Sequence, residues 1–267
     1  KVNNVSDFFD IVAVNDISND IENMAYLLKY DSIHGILNDN ISADINGIKF
    51  NEKFINVFSE KHIEDVPWNE CNVDIVLDCS GFLENVSNAR KCIKDSVKKV
   101  VFTDSPDGVD FTCVLGVNEN EYDPENHSVL SSSICDVVGF APALKCIHEQ
   151  YGVQSGFLLT LHPWLFFQNL MDGRPNPSAH AATPHSIGRA SAGTLIPKWT
   201  SLVKAINKVM PDMSGKLKGM SYRVPTDVVA SSHATLTLEN DVSTEEVKNL
   251  LISKCSNPVM DYTEEPM

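Results

Sequence analysis

The sequence predicts an α/β fold: a parallel sheet flanked by helices in the first half, then a second domain of different build. Strand-length apolar runs alternate with helix-period segments between residues 10 and 103, the pattern of a parallel sheet covered by helices. Beyond residue 134 the pattern changes to a long helix and alternating strands of antiparallel type. The length of 267 residues suits one large domain or two ordinary ones. The expected division is residues 1–134 and residues 135–267.

The elements follow in order. Residues 10–16 form a continuous apolar run closed by polar residues, which suits a strand buried on both faces. Residues 21–30 carry Ile21, Met24, Ala25 and Leu28 at helical spacing, with Asp20 placed as N-cap. Residues 35–61 are short, alternating and turn-rich, and read as hairpin. Strands are expected at 73–79, 99–103 and 111–117, with a helix at 84–95. In the second half, residues 135–151 read as a helix kinked at Pro142, and 157–161 as a strand. Residues 172–193, rich in Gly, Pro, Ser and His, read as a long surface loop. A helix is expected at 201–210, and antiparallel-type strands at 220–224 and 230–238. The helix at 244–255 has Ser243 or Thr244 as N-cap and Glu245 and Glu246 in its first turn.

Composition excludes several classes. Hydrophobic residues make up 43% and charged residues 21%, too apolar for a disordered chain. No apolar run reaches the ~18–20 residues of a membrane span. Lys plus Arg number 21 against 36 Asp plus Glu, a net charge of −15. Tight binding to nucleic acid, which draws on Lys and Arg, is therefore not expected. The seven cysteines are odd in number and have no C-x-x-C spacing, so a reduced, intracellular compartment is expected and no metal site is assigned. The cytoplasm is the first expectation and the mitochondrion the second. His180 and His185 read as solvated loop histidines, because no Cys or carboxylate accompanies them. Trp68, Trp164 and Trp199 lack a stacking pattern and read as core or interface residues.

Two residues stand out chemically. Cys135 follows Ser131-Ser-Ser133 and opens a helix, where unpaired amides favour a thiolate. His162 ends an apolar strand. Together they can form a nucleophile pair, although each alone reads more simply as a buried structural residue.

The wording of the chain is more specific. The segments DIVAVND (10–16), YLLKYDSIHG (26–35), GVN (116–118), AP (141–142), GKLKGMSYRVPT (215–226) and DYTE (261–264) occur in that order. With Lys208-Val-Met-Pro, this series resembles the phosphorylating glyceraldehyde-3-phosphate dehydrogenase family over nearly the whole chain. The resemblance implies a Rossmann NAD-binding domain and an α+β catalytic domain with an antiparallel sheet. It implies Cys135 as the nucleophile that forms a thioester, His162 as its base, and phosphate as the acyl acceptor. It assigns the cofactor to Asp16, with Ser80 and Gly81 counted beside it, and the substrate anions to Thr200, Arg223 and Arg189. It also implies assembly as a homo-oligomer or in a larger complex.

The departures are concentrated at the site. Ile134 stands where the family has Ser, and Asp136, Val137 and Val138 replace its Thr-Thr-Asn. Leu165 and Phe167 stand where the family places hydroxyls for substrate phosphate. Three lost donors cost about 3–5 kcal/mol of anion binding, on the order of 10²–10³ in affinity. Asp136 adds a carboxylate where a phosphate is recruited, and it disfavours a neighbouring thiolate. Relative to the family, the chain also reads as incomplete at both ends: no glycine in 1–9 supplies a phosphate turn, and without a strand ahead of residue 10 the parallel sheet is expected to divide. The expected function is a dehydrogenase homologue with impaired catalysis that serves as a structural or interaction subunit. The alternative is an active NAD-dependent glyceraldehyde-3-phosphate or related aldehyde dehydrogenase. The cofactor is NAD if the site is active, and none if it is not.

Overall fold

The structure, a computed structural model, describes residues 8–175, 184–255 and 259–266. The chain forms two compact units: Lys1–Phe111 with Pro124–Ser131, and Thr112–Asp123 with Ser132–Met267. The second unit thus takes in a segment that lies before residue 134. Val114 and Val117 explain this, since both are buried in the second unit's core. The strand expected at 111–117 shortens for the same reason: only its first two residues are extended, and Gly116 turns the chain at φ +80°.

The first unit contains β1 (Ala13–Asn15), α1 (Ile21–Lys29), β2 (Tyr30–Asp31), β3 (Gly35–Ile36), β4 (Ile41–Asp44), β5 (Gly47–Phe50), β6 (Lys53–Phe58), β7 (Ile75–Asp78), α2 (Glu84–Cys92), β8 (Lys99–Phe102), β9 (Phe111–Thr112) and β10 (Val129–Ser131). Asp20 caps α1 by accepting from the Asn23 amide. The β2–β3 hairpin and the β4–β5–β6 meander account for the turn-rich segment. The parallel strands stand in two sheets, ordered β1-β6-β5-β4 and β7-β8-β10-β9. β1 pairs in parallel with β6, and β7 and β10 both pair in parallel with β8. The sheet is therefore divided between β1 and β7, as expected. Residues 10–16 are not a strand buried on both faces, however. Among the described residues β1 has a neighbour on one side alone, and Val14 is half-exposed. The core of this unit lies between α2 and the β7–β8–β10 strands, around Val76, Ala89, Val100, Phe102 and Val129.

The second unit contains α3 (Cys135–Tyr151), β11 (Val153–Pro163), α4 (Pro184–Ile187), β12 (Ile196–Lys198), α5 (Leu202–Val209), β13 (Leu217–Val224), β14 (Ser231–Leu238) and α6 (Thr244–Lys254). Its sheet is ordered β12-β13-β11-β14 and is mixed. The outer pairs, β12–β13 and β11–β14, are antiparallel as expected, but the central pair, β11–β13, is parallel. α3 and α5 cover one face and bury Val137, Leu144, Leu158, Ile206 and Met213. Pro142 is accommodated inside α3 and is itself buried. Trp68 packs against the first core, whereas Trp199 is exposed.

Candidate active site

Sheet register builds the site of the second unit. His162 on β11 is paired with Arg223 on β13, and Ile196 on β12 with Arg223. One row further in, Thr160 is paired with Ser221, and Ser221 with Lys198. Residues two apart on a strand share a face. His162, Arg223, Thr160, Ser221 and Lys198 therefore project from the same face as the buried Leu158. α3 begins against that face with Cys135 and Asp136 in its first turn.

The structure brings Cys135 and His162 together. Cys135 Sγ lies 3.2 Å from His162 Nε2. On its other side, His162 Nδ1 meets Arg223 Nη1 and also lies 3.0 Å from the Pro163 carbonyl oxygen. A guanidinium can only donate and a carbonyl can only accept, so the Arg223 contact suits the tautomer with its proton on Nε2, facing Cys135, and the Pro163 contact suits the tautomer with its proton on Nδ1. Arg223 Nη1 also donates to the Pro163 carbonyl oxygen at 3.1 Å. Arg223 is buried, so it is held against His162 rather than presented to solvent as a free anion receptor.

Asp136 is the residue whose importance the sequence understated. It is 8% exposed. Its Oδ2 lies 3.4 Å from Thr160 Oγ1, which shares a 2.9 Å hydrogen bond with Ser221 Oγ. Its Oδ1 is buried and has no partner. Donor atoms of Cys135, Asp136 and His162 lie within 4.8 Å of one another. This triad was hidden from spacing arguments, because Asp136 and Thr160 meet only through the docking of α3 on the sheet.

The electrostatics follow from this packing. Burial pushes the Cys135 thiol up, and the Asp136 charge pushes it further. The amides that open α3 and the Arg223 charge oppose this without reversing it, so the expected helix-terminus activation is outweighed. Burial holds His162 below the usual histidine value; the Pro163 carbonyl opposes this, and Arg223 reinforces it. Burial lowers both Lys198 and Arg223, while Asp136 and Cys135 favour their charged forms. The cluster thus contains its own counter-ions.

The remaining predicted residues are placed as follows. Thr200 is half-buried ahead of α5 and its Oγ1 accepts from the Leu202 amide at 3.1 Å. Arg189 is exposed and pairs with Asp172 at 2.9 Å. That pairing places it in the loop rather than on the Cys135–His162 dyad. His180 lies outside the described residues, and His185 is exposed on α4. In the first unit, Asp16 is exposed just past β1, and its Oδ1 accepts from the Ser18 amide at 2.8 Å. Ser80 and Gly81 form the turn after β7. The Ser80 hydroxyl donates to Asp78 at 2.6 Å and accepts from the Phe82 amide at 3.1 Å, and Gly81 has φ +66°. The Ser80 hydroxyl is already committed to its own turn.

A parallel-sheet dinucleotide unit followed by a unit bearing a Cys–His pair at a helix start defines a two-domain, NAD-binding oxidoreductase fold. The pattern described as glyceraldehyde 3-phosphate dehydrogenase, NAD binding domain, matches residues 3–86, and the corresponding C-terminal domain matches residues 134–267. Glyceraldehyde-3-phosphate dehydrogenase of Geobacillus stearothermophilus is 36% identical over 97% of this chain and 76% of its own length. Glyceraldehyde-3-phosphate dehydrogenase 1 of Bacillus cereus is 35% identical over the same shares. A chloroplastic glyceraldehyde-3-phosphate dehydrogenase of Arabidopsis thaliana is 35% identical over 97% of this chain and 60% of its own length. The chain belongs to the glyceraldehyde-3-phosphate dehydrogenase family. No helix among the described residues is long and apolar enough to cross a membrane.

Proposed function

We propose that the protein is an NAD-dependent aldehyde dehydrogenase that works through an acyl-Cys135 intermediate, with glyceraldehyde 3-phosphate as the first substrate to test. The observation that carries this reading is the 3.2 Å approach of Cys135 Sγ to His162 Nε2 at the start of α3. The thiolate of Cys135 adds to the aldehyde carbonyl carbon. His162 Nε2–H stands where the carbonyl oxygen gains charge and donates to it. Arg223 holds the ring in that orientation from Nδ1. His162 is thus first a donor to the oxygen, a different emphasis from the base role implied by the family resemblance. NAD, when bound, supplies the hydride acceptor. Asp16 is the residue offered to its ribose.

The loss of hydroxyls at Ile134, Leu165 and Phe167, and the raised Cys135 thiol, favour the second reading, a subunit with impaired catalysis. Both readings include self-association. All seven cysteines are free, which supports a reducing, intracellular compartment. The deciding measurement is NADH formation from glyceraldehyde 3-phosphate, with NAD binding followed by calorimetry. Turnover abolished by Cys135→Ser sustains the enzyme. Micromolar NAD binding without acylation of Cys135 moves the protein to the second reading.

A further inference from the structure

We propose that Lys198 is a specificity-determining residue for the acyl acceptor at this site: its ammonium draws a small oxyanion, such as inorganic phosphate, to the carbonyl carbon of acyl-Cys135. The proposal rests on the reading of Cys135 as an acylated nucleophile. It adds a residue that the motifs of the chain do not single out.

Position is the first observation. Lys198 ends β12 and is paired with Ser221, which is paired with Thr160. Thr160 Oγ1 lies 3.4 Å from Asp136 Oδ2, so the row that carries Lys198 runs across the sheet to the first turn of α3. Lys198 is half-buried there, close enough to Cys135, Asp136, His162 and Arg223 for its charge to interact with all four groups.

Availability is the second. Arg223 is 5% exposed; its Nη1 is held on His162 and the Pro163 carbonyl oxygen, and its Nε is enclosed without a partner. Arg223 therefore offers an incoming anion its charge more than its contacts. The Lys198 Nζ makes no hydrogen bond and no ion pair among the described residues, and it is not enclosed. An ammonium carries three donors, and here they are unspent.

Charge is the third. Acyl-Cys135 is a neutral thioester, and His162, held below the usual histidine value, is neutral at pH 7. Two cations, Lys198 and Arg223, then face one carboxylate, Asp136. Without Lys198 that surplus of positive charge vanishes. A hydrogen bond to a charged group is about twice as strong as a neutral one, so the ammonium offsets part of what the hydroxyls lost at Ile134, Leu165 and Phe167 would have given.

The step balances without an oxidant. A phosphate oxygen adds to the thioester carbonyl carbon, the C–S bond breaks, and the sulfur leaves as thiolate and takes the proton that hydrogen phosphate brought. The overall change is acyl-Cys135 plus hydrogen phosphate to acyl phosphate plus free Cys135 thiol. Lys198 holds the phosphate oxygens that do not react, and neither gains nor loses a proton.

p-Nitrophenyl acetate separates this proposal from the reading beneath it, because it acetylates a nucleophilic cysteine without NAD. The full chain is treated with the ester, acetyl on Cys135 is located by peptide mass with Cys135→Ser as control, and excess ester is removed. NAD is then added, and release of acetyl is followed by intact mass over a range of inorganic phosphate concentrations. In the unaltered protein, release is expected to accelerate with phosphate and to saturate, with acetyl phosphate as product. Lys198→Met is expected to raise the half-saturating phosphate about tenfold, with a smaller fall in the saturated rate. Lys198→Arg, which keeps the charge, is expected to recover most of that shift. A merely structural loss would fall chiefly on the saturated rate and would not be recovered by charge. Failure to acetylate Cys135 overturns the nucleophile reading itself. Acetylation followed by release that phosphate does not accelerate overturns the role of Lys198 alone. A half-saturating concentration in Lys198→Met equal to that of the unaltered protein does the same.

Discussion

Arg223 Nη1 meets His162 Nδ1 on the edge of the ring opposite the one that faces Cys135. The two residues are 61 positions apart in sequence but directly paired in the β11–β13 register. A strand pairing, rather than a local motif, therefore places the charge that controls the titration of the ring.

Replacing Arg223 tests that control. In Arg223→Met the Nδ1 donor disappears and so does a buried positive charge that holds His162 down. The His162 titration, followed by NMR of the ring protons, is expected to move up. Cys135 loses a charge that favours its thiolate, so alkylation at neutral pH is expected to slow. Arg223→Lys restores the charge but not the planar fork, and is expected to recover the titration more fully than the ring orientation. An unchanged His162 titration in Arg223→Met would remove the basis for this control.

Asp136 acts in the opposite direction on Cys135. Removing its charge in Asp136→Asn is expected to speed iodoacetamide labelling of Cys135 at pH 7. At water-like screening and this separation, the interaction is about 1 kcal/mol, roughly a fivefold change in thiolate population. Cys79, also exposed, is the internal reference and is expected to label equally in both proteins. Cys92 is buried with its thiol pushed up to about 11, and is expected to stay unlabelled until the chain unfolds.

Much of this architecture was legible because it is local. The bounds of α3 could be read from Cys135 and from Gly152, which follows Tyr151 and ends the helix at φ +69°. Asp20 and Ser243 announced their helices by residue type. Non-local features were not legible. β11 is longer than its apolar run because Val153 and Ser155 pair with β14, Gly156 with both neighbours, and His162 and Pro163 with β13. Whether β13 runs parallel or antiparallel to β11 depends on a connection through β12 and α5, about which alternation says nothing. At the site, Cys135 and His162 could be paired on paper from their resemblance to a known family. The Asp136–Thr160–Ser221 contacts could not, since they arise where a helix end lands on two adjacent rows of a sheet.

The capping box of α6 gives a local prediction. The Ser243 hydroxyl accepts from the Glu246 amide, and the Glu246 carboxylate accepts from the Ser243 amide at 2.9 Å. Ser243→Ala is expected to cost about 1 kcal/mol of helix stability. No residue of α6 is buried, so that loss has little packing to spread through. Hydrogen exchange across 244–254 is expected to accelerate while global unfolding moves little. A matching fall in global stability would show α6 to be cooperative with the core.

In the first unit, Asp110 gives a pH-dependent prediction. Its Oδ1 accepts from Arg90 Nη2 at 2.6 Å, and its Oδ2 accepts from the Ser128 and Val129 amides at 3.0 and 2.8 Å. It therefore ties α2 to the start of β10. Arg90 first, and then those two amides against the cost of burial, hold the carboxyl down at about 2. A carboxylate depressed in the folded state binds its proton more weakly there than in the unfolded chain. Its contribution is therefore complete above the ordinary aspartate value of about 3.9, and it is lost as pH falls through about 2. Above the upper limit the contribution is roughly 2 kcal/mol, and between the two limits it declines. Asp110→Asn is expected to lower the stability of this unit by about that amount at pH 7, measured by urea unfolding. The difference between the two proteins is expected to shrink steadily below pH 4. A gap that stayed constant down to pH 2 would assign the loss to packing of the Asn side chain rather than to the Arg90 pair.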